Sequence, residues 1–162
     1  MKITKECVKT LFETKFIKLF DLQYREGKHY FVATRNAEEN LVATKSEEAF
    51  KTMLPDAVTC IVILKLPNEE PRLLMSYEYR YPAGRFLLSP PAGLLDPEDK
   101  LADEPLILTA KREIFEETGI EVKVSDQVFV VNHLLFSTPG MTDENNALVA
   151  AVISLENTDC LT

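Results

Sequence analysis

The sequence predicts a mixed α/β (α+β) fold: a mixed β-sheet around one central helix, preceded by an N-terminal antiparallel β-hairpin region. Three observations predict it. Residues 16–35 hold two strand-like runs about a Gly27 turn, residues 58–64 form a continuous β-branched apolar run, and 105–118 carry helical periodicity between Pro105 and Gly119. The 162 residues are 46% hydrophobic and 27% charged, an ordinary globular composition with enough chain to bury a core. Disordered, collagen-like and repeat classes are thereby excluded.

Along the chain, residues 1–13 read either as a short helix or as an extended arm. Residues 16–24 form a strand in which Phe16, Lys18, Phe20 and Leu22 alternate with Ile17, Leu19 and Asp21. Arg25-Glu26-Gly27-Lys28 is the turn, and 29–35 the returning strand. Residues 36–40 make a second polar turn, and 46–50 a single helical turn. The 58–64 run, apolar on both faces, reads as a buried central strand. A second core strand follows over 72–80. Residues 81–97 contain four prolines and two glycines and read mostly as loop, with a short strand over 86–88. After the helix, 122–131 supplies one or two strands and 147–155 another.

The charge balance is acidic, with 26 Asp+Glu against 18 Lys+Arg and a formal net charge of −8. A surface of that sign repels a phosphate backbone, so nucleic acid is not the expected partner. A small anionic ligand held by placed arginines and a metal remains compatible. Cys7, Cys60 and Cys160 are far apart and without a Cys-x-x-Cys pair, which fits reduced thiols in a cytoplasmic protein. The N-terminus lacks the apolar stretch of a signal peptide. The most apolar run, about 57–66, is roughly half the length a membrane span needs, so no membrane association is expected.

The central helix carries the chemical signal. At about 100° per residue, Leu106, Ile107, Ala110 and Ile114 fall on one core-facing arc, and Glu113, Glu116 and Glu117 on the adjacent one. Each like-charged i,i+3 or i,i+4 pair costs roughly 0.2–0.5 kcal/mol, and acids sit badly at a helix C-terminus. Such a fan is either a solvated face or a site for a hard divalent cation, Mg²⁺ where phosphates complete the shell. Arg112 can pair with Glu116 at i,i+4, a contact worth little if it is only a surface ion pair.

The run Arg112-Glu113-Ile114-Phe115-Glu116-Glu117-Thr118-Gly119-Ile120 resembles the second half of the Nudix box. Glu104 precedes Arg112 by the seven residues that the box requires, and Gly93 resembles its opening glycine, with ten residues to Glu104 in place of five. The intervening loop reads as lengthened by five residues. Tyr77-Glu78-Tyr79-Arg80-Tyr81-Pro82, Pro91-Ala92-Gly93-Leu94-Leu95-Asp96 and Ser137-Thr138-Pro139-Gly140-Met141-Thr142-Asp143-Glu144 resemble motifs of the ADP-ribose pyrophosphatase group of that family. So does Tyr30 followed by Arg35.

The resemblance implies a Nudix fold with a catalytic central helix, Mg²⁺ (or Mn²⁺) as cofactor and hydrolysis of ADP-ribose to AMP and ribose 5-phosphate. Another nucleotide sugar or a dinucleotide is the alternative substrate, and a non-catalytic ligand-binding domain the alternative role. Residues 1–50 would form the hairpin and homodimerisation region, and 51–162 the hydrolase domain. Members of that group continue with a further strand and helix past the last strand here, so this domain reads as C-terminally shortened. Residue by residue, the resemblance assigns metal binding to the Ala92 carbonyl, Glu113, Glu116 and Glu117. Arg112 joins the catalytic set, with Glu144 as or assisting the base. Tyr30 would stack on adenine, and Arg35 and Arg80 would contact diphosphate or ribose. Tyr30 also reads as a core strand aromatic, and Arg35 as a surface arginine. His29 and His133 read as structural.

Overall fold

A computed structural model of the chain describes residues 2–161; Met1, and Thr162 at which the chain stops, lie outside them. The fold divides into two units, Met1–Leu54 with Phe136–Asn145, and Pro55–Leu135 with Asn146–Thr162.

In the first unit, β1 (Val8–Glu13), β2 (Lys18–Arg25) and β3 (Lys28–Thr34) form an antiparallel sheet in the order β1-β2-β3. The extended reading of the N-terminal arm therefore holds, after one 3-10 turn at Lys5–Cys7. β2 begins at Lys18, not Phe16. The Thr14 hydroxyl accepts from the Phe16 and Ile17 N–H groups (3.2 and 2.9 Å) and donates to the Ile17 carbonyl (2.7 Å), closing a turn over those residues. Phe20, Leu22, Val32 and Leu41 are the unit's core. The helical turn expected near residue 46 is α1 (Glu47–Lys51), where Ser46 caps by accepting from the Ala49 N–H at 3.1 Å.

In the second unit the chain runs through β4 (Ala57–Lys65), β5 (Arg72–Leu73), β6 (Ser76–Arg80), β7 (Arg85–Ser89), β8 (Ala92–Leu94), α2 (Pro105–Thr118), β9 (Gln127–Phe136) and β10 (Asn145–Ser154). The main sheet is ordered β5-β4-β10-β9, with β8 also pairing β4. It is mixed, because β10 lies parallel to β4 whereas β5 and β8 are antiparallel to it.

Val58, Cys60, Val62 and Leu64 bury one face of β4 in a core shared with Leu106, Ala110 and Ile114 of α2. The other face, Ala57, Thr59, Ile61 and Ile63, is only half-buried. The two-faced burial expected for this strand is corrected accordingly.

The second core strand expected over 72–80 is also corrected. Its first residues, β5, edge the main sheet, whereas β6 pairs β7 in a separate two-stranded ribbon. Gly84, in the left-handed region at φ 61°, folds the ribbon back on itself through the 3-10 turn Tyr81–Ala83. Tyr77, Tyr79, Phe86 and Leu88 are consequently exposed.

The strand reading over 122–131 shifts to β9. Asp126 accepts from the Lys123 N–H at 2.8 Å while its own N–H donates to the Lys123 carbonyl at 3.0 Å, so a turn occupies the start of that segment. α2 keeps its expected bounds. Gly119 stops it at φ 74° and donates to the Phe115 carbonyl at 2.9 Å.

Ile114 is fully buried, so Ile114→Ala should destabilise the chain by about 2–5 kcal/mol in urea unfolding. Val124→Ala, at a fully exposed position, should stay within about 0.5 kcal/mol of the parent.

Candidate functional site

The C-terminal half of α2 places Glu113, Glu116 and Glu117 beside β8. Glu113 is buried on the helix flank next to the core stripe, and Glu116 and Glu117 are exposed. Glu113 approaches Gly93 so closely that a Cβ there would overlap its carboxylate. Glycine at 93 is therefore required by space, not by backbone angle.

Arg112 organises the acids. Its Nη1 donates to Glu113 Oε1 at 2.6 Å and Glu116 Oε2 at 3.2 Å, and its Nη2 to the Leu94 carbonyl and Asp99 Oδ2, both at 2.9 Å. Asp96 adds an ion pair at 3.5 Å. Four carboxylates thus surround one guanidinium, leaving an excess of negative charge.

Asp99 was not singled out from the sequence. Buried in the 3-10 turn Asp99–Leu101, it accepts from Arg112, from the Thr109 hydroxyl (3.0 Å, a donor also 2.9 Å from the Pro105 carbonyl) and from the Asp96 N–H (3.3 Å). Burial pushes its carboxyl up, but the Arg112, Thr109 and Asp96 bonds together hold it below its ordinary value. Burial pulls the Arg112 pKa down, but the bonds to and charges of Asp99 and Glu113 together raise it above its ordinary value.

Glu117 behaves oppositely. Partial burial, then the Glu113 and Glu78 carboxylates, push it up, against the Ala92 N–H that it accepts at 3.3 Å and the charge of Arg80. Arg80 itself pairs with Glu78 at 2.8 Å. The Cys60 thiol behind the helix is pushed up to about 12 by burial, then by Glu113 and Glu117, which keeps it protonated and unreactive. Among the described residues, no set of three or more His, Cys, Asp or Glu side chains stands preassembled as a metal cage. In this arrangement the acids are turned toward Arg112 and the Ala92 N–H.

The remaining predicted residues lie in the first unit. Arg35 Nε meets Glu144 Oε1 at 3.4 Å, both side chains about half exposed. A small cavity there is lined by Ile17, Ala33, Thr34, Arg35, Thr142 and Glu144. Tyr30 is partly exposed, and its hydroxyl donates to the Gly140 carbonyl at 3.0 Å. It is therefore not a core aromatic. His29 is held through Nδ1 by Asp21 at 2.7 Å.

No protein-family model matches the chain. An uncharacterized Nudix hydrolase of Schizosaccharomyces pombe is 32% identical over 100 residues, 62% of this chain and 44% of that protein. Putative nudix hydrolase 2 of Caenorhabditis elegans is 39% identical over 77 residues, 48% of this chain and 31% of that protein. An ADP-ribose pyrophosphatase of Mycobacterium tuberculosis is 45% identical over 71 residues, 44% of this chain and 30% of that protein. The chain spans less than half the length of these relatives. In fold it is similar to a crystal structure of an ADP compounds hydrolase, at a TM-score of 0.52 and 17% identity, covering 94% of this chain and 70% of that one.

Over the matched stretches the chain is similar to proteins named as Nudix hydrolases. Against the Nudix box, the contacts change the register expected upstream of Arg112. Glu104 stands at the N-terminal boundary of α2 without a side-chain capping bond and is not among the partners of Arg112. Asp99 is. Five residues separate it from Gly93, the box spacing, so the additional residues lie between Asp99 and Arg112 and not between Gly93 and the acid. The signal was available as an acid at the right distance from the glycine, masked by a glutamate at the right distance from the arginine.

Two outcomes are expected for Asp99. Asp99→Ala should lower stability by about 2–3 kcal/mol, because it leaves a hydrogen-bonded guanidinium partly unpaired. Since the folded carboxyl lies below its ordinary value of 3.8, its contribution is complete above that value and lost as pH falls through the folded one. Acid unfolding of Asp99→Asn followed by circular dichroism should therefore show a shallower loss of stability in that range than the parent.

Proposed function

We propose that the chain hydrolyses a diphosphate that links a nucleoside to another moiety, with ADP-ribose plus water giving AMP and ribose 5-phosphate. The observation that carries this reading is the oxygen-donor set of Glu113 and Glu116, held by Arg112, with Glu117, held by the Ala92 N–H, beside Gly93 and β8. All its ligands are hard, the set is over-negative, and Glu117 is destabilised as an anion. Those properties suit Mg²⁺ or Mn²⁺, which takes few protein carboxylates and fills its shell with water and phosphate oxygens. Once bound, such a cation would neutralise phosphate charge and acidify water.

The protein's own groups have separable tasks in this reading. Arg112 keeps Glu113 and Glu116 on the β8 side of the helix, and the Ala92 N–H orients Glu117, with the Ala92 carbonyl as a further oxygen ligand. Arg35 and Arg80 offer planar donors to phosphate oxygens or ribose, and the Tyr30 ring offers a stacking face to adenine. Glu144 takes the proton of the attacking water. A phosphorus–oxygen bond forms to that water while the bridging bond breaks, and the leaving phosphate retains the bond pair. Attack at either phosphorus gives the same two products.

The exposed apolar side chains of Phe12, Phe16, Ile17 and Phe31 support a homodimer through the N-terminal sheet, since burying them against a second copy would remove apolar surface from water. Among the described residues, no helix is long and apolar enough to cross a membrane.

A panel of ADP-ribose, other nucleotide sugars and dinucleotides, with products separated by chromatography, tests the reading. Mg²⁺-dependent release of AMP and ribose 5-phosphate is expected. Glu144→Gln should lower kcat about 10²–10⁴-fold, the range for a lost general base. Absence of turnover on every diphosphate with Mg²⁺ or Mn²⁺ would contradict it.

A further inference from the structure

We propose that Asp143 is the positioning residue for Glu144, anchoring the 137–144 loop within the first unit. The inference rests on the reading of Glu144 above and extends it to a residue to which no role has so far been given.

The Arg35–Glu144 pair cannot hold this loop. It is long, at 3.4 Å, and about half exposed on both sides, the situation in which ion pairs contribute little. Placement comes from elsewhere. The Ala33 N–H donates to the Met141 carbonyl at 3.0 Å, and Ala33 forms an isolated parallel bridge with Thr142, so the loop touches β3 at one point. Tyr30 adds its hydroxyl bond to Gly140. These contacts reach residues 140–142 and stop short of Glu144.

Asp143 supplies the tie next to it. Its side chain is buried, with Oδ2 accepting from the Val42 N–H at 3.3 Å and the Asn36 amide at 3.5 Å. Its carbonyl accepts from the Asn145 amide at 2.9 Å. The loop is thereby fastened to the 36–42 segment through the Asp143 side chain and, locally, to Asn145 through its carbonyl.

The anchor is costly. Asp143 Oδ1 is buried with no hydrogen-bond partner among the described residues, and both bonds to Oδ2 are at the long end of the useful range. A residue chosen for stability alone would not bury a half-satisfied carboxylate here. What the carboxylate achieves is an anchored backbone at the residue preceding Glu144, whose side chain has only the weak Arg35 pair and whose carbonyl accepts from the Ser137 N–H at 3.1 Å within the same loop. This is the kind of supporting contact that keeps a reacting group within its working geometry.

The test uses the full chain with Mg²⁺ and ADP-ribose, and reads loop order and kinetics separately. In Asp143→Ala, amide exchange at Val42 and Ala33 should accelerate about tenfold or more, as expected for losing bonds to a buried carboxylate. kcat should fall about tenfold or more, while KM and the half-saturating Mg²⁺ concentration stay within about threefold. Asp143→Asn, which keeps an acceptor for Val42, should recover most of both losses. If the alanine variant does not fold, Asp143→Ser, too short to reach the Val42 N–H, is judged by the same criteria. Unchanged exchange at Val42 and Ala33, or accelerated exchange with parental kcat, overturns the proposal. Glu144→Gln separates the two failures. Parental kcat in that variant removes the role of Glu144 itself, whereas an inactive Glu144→Gln beside a fully active Asp143→Ala removes only the positioning role.

Discussion

Arg112 is the point on which the second unit's chemistry depends. A guanidinium offers five N–H donors in a fixed plane, and here two nitrogens of one residue join α2 to the end of β8 and to the segment that follows it. One reaches Glu113 and Glu116 on its own helix, and the other reaches the Leu94 carbonyl and Asp99. Without the arginine, the buried Glu113 and Asp99 would each lose their principal cationic partner. With it, the acids are held close together while the cluster as a whole stays negative, since one cation faces four carboxylates. An arrangement that stabilises part of a charge cluster and leaves the remainder unneutralised is poorly explained by folding alone. It is readily explained by a cation that arrives later.

Packing and electrostatics converge at the same place. The apolar face of α2 sits in the main core, which fixes the rotation of the helix and turns its acidic flank toward β8. Gly93 is the complement on the strand side, since any larger residue would claim the volume of the Glu113 carboxylate. The pair shows how a backbone with no side chain can serve a site: it allows a charged group to be both buried and close to a strand. The first unit uses a different device, in which the buried Asp143 and the bonds along β3 hold a loop whose surface ion pair is weak.

How much of this was legible in the sequence follows from the range of the interactions involved. Helix α2 was readable to its ends, because Pro105, the apolar stripe and Gly119 act locally. The acid fan was readable for the same reason, as it depends only on residues three and four apart. Arg112 was read as a partner of Glu116 alone, since its bonds to Leu94 and Asp99 span 18 and 13 residues and leave no periodic trace. Asp99 is masked in the sequence because Glu104 stands at the box spacing from Arg112. The single strand read over 72–80 failed where alternation continued but pairing did not. The apolar pattern of β6 looks like core, yet its partner is β7 and its aromatics face outward. In each case the period was right, and the identity of the neighbour decided the outcome.

If Glu113 and Glu116, held by Arg112, and Glu117, held by the Ala92 N–H, form a cation site, direct titration with Mn²⁺ read by electron paramagnetic resonance detects it without reference to any substrate. Saturable binding to the full chain is expected, displaced by Mg²⁺ and weakened about tenfold or more in Glu117→Gln. Binding that Mg²⁺ cannot displace, or that persists unchanged in Glu117→Gln and Glu113→Gln, would contradict it.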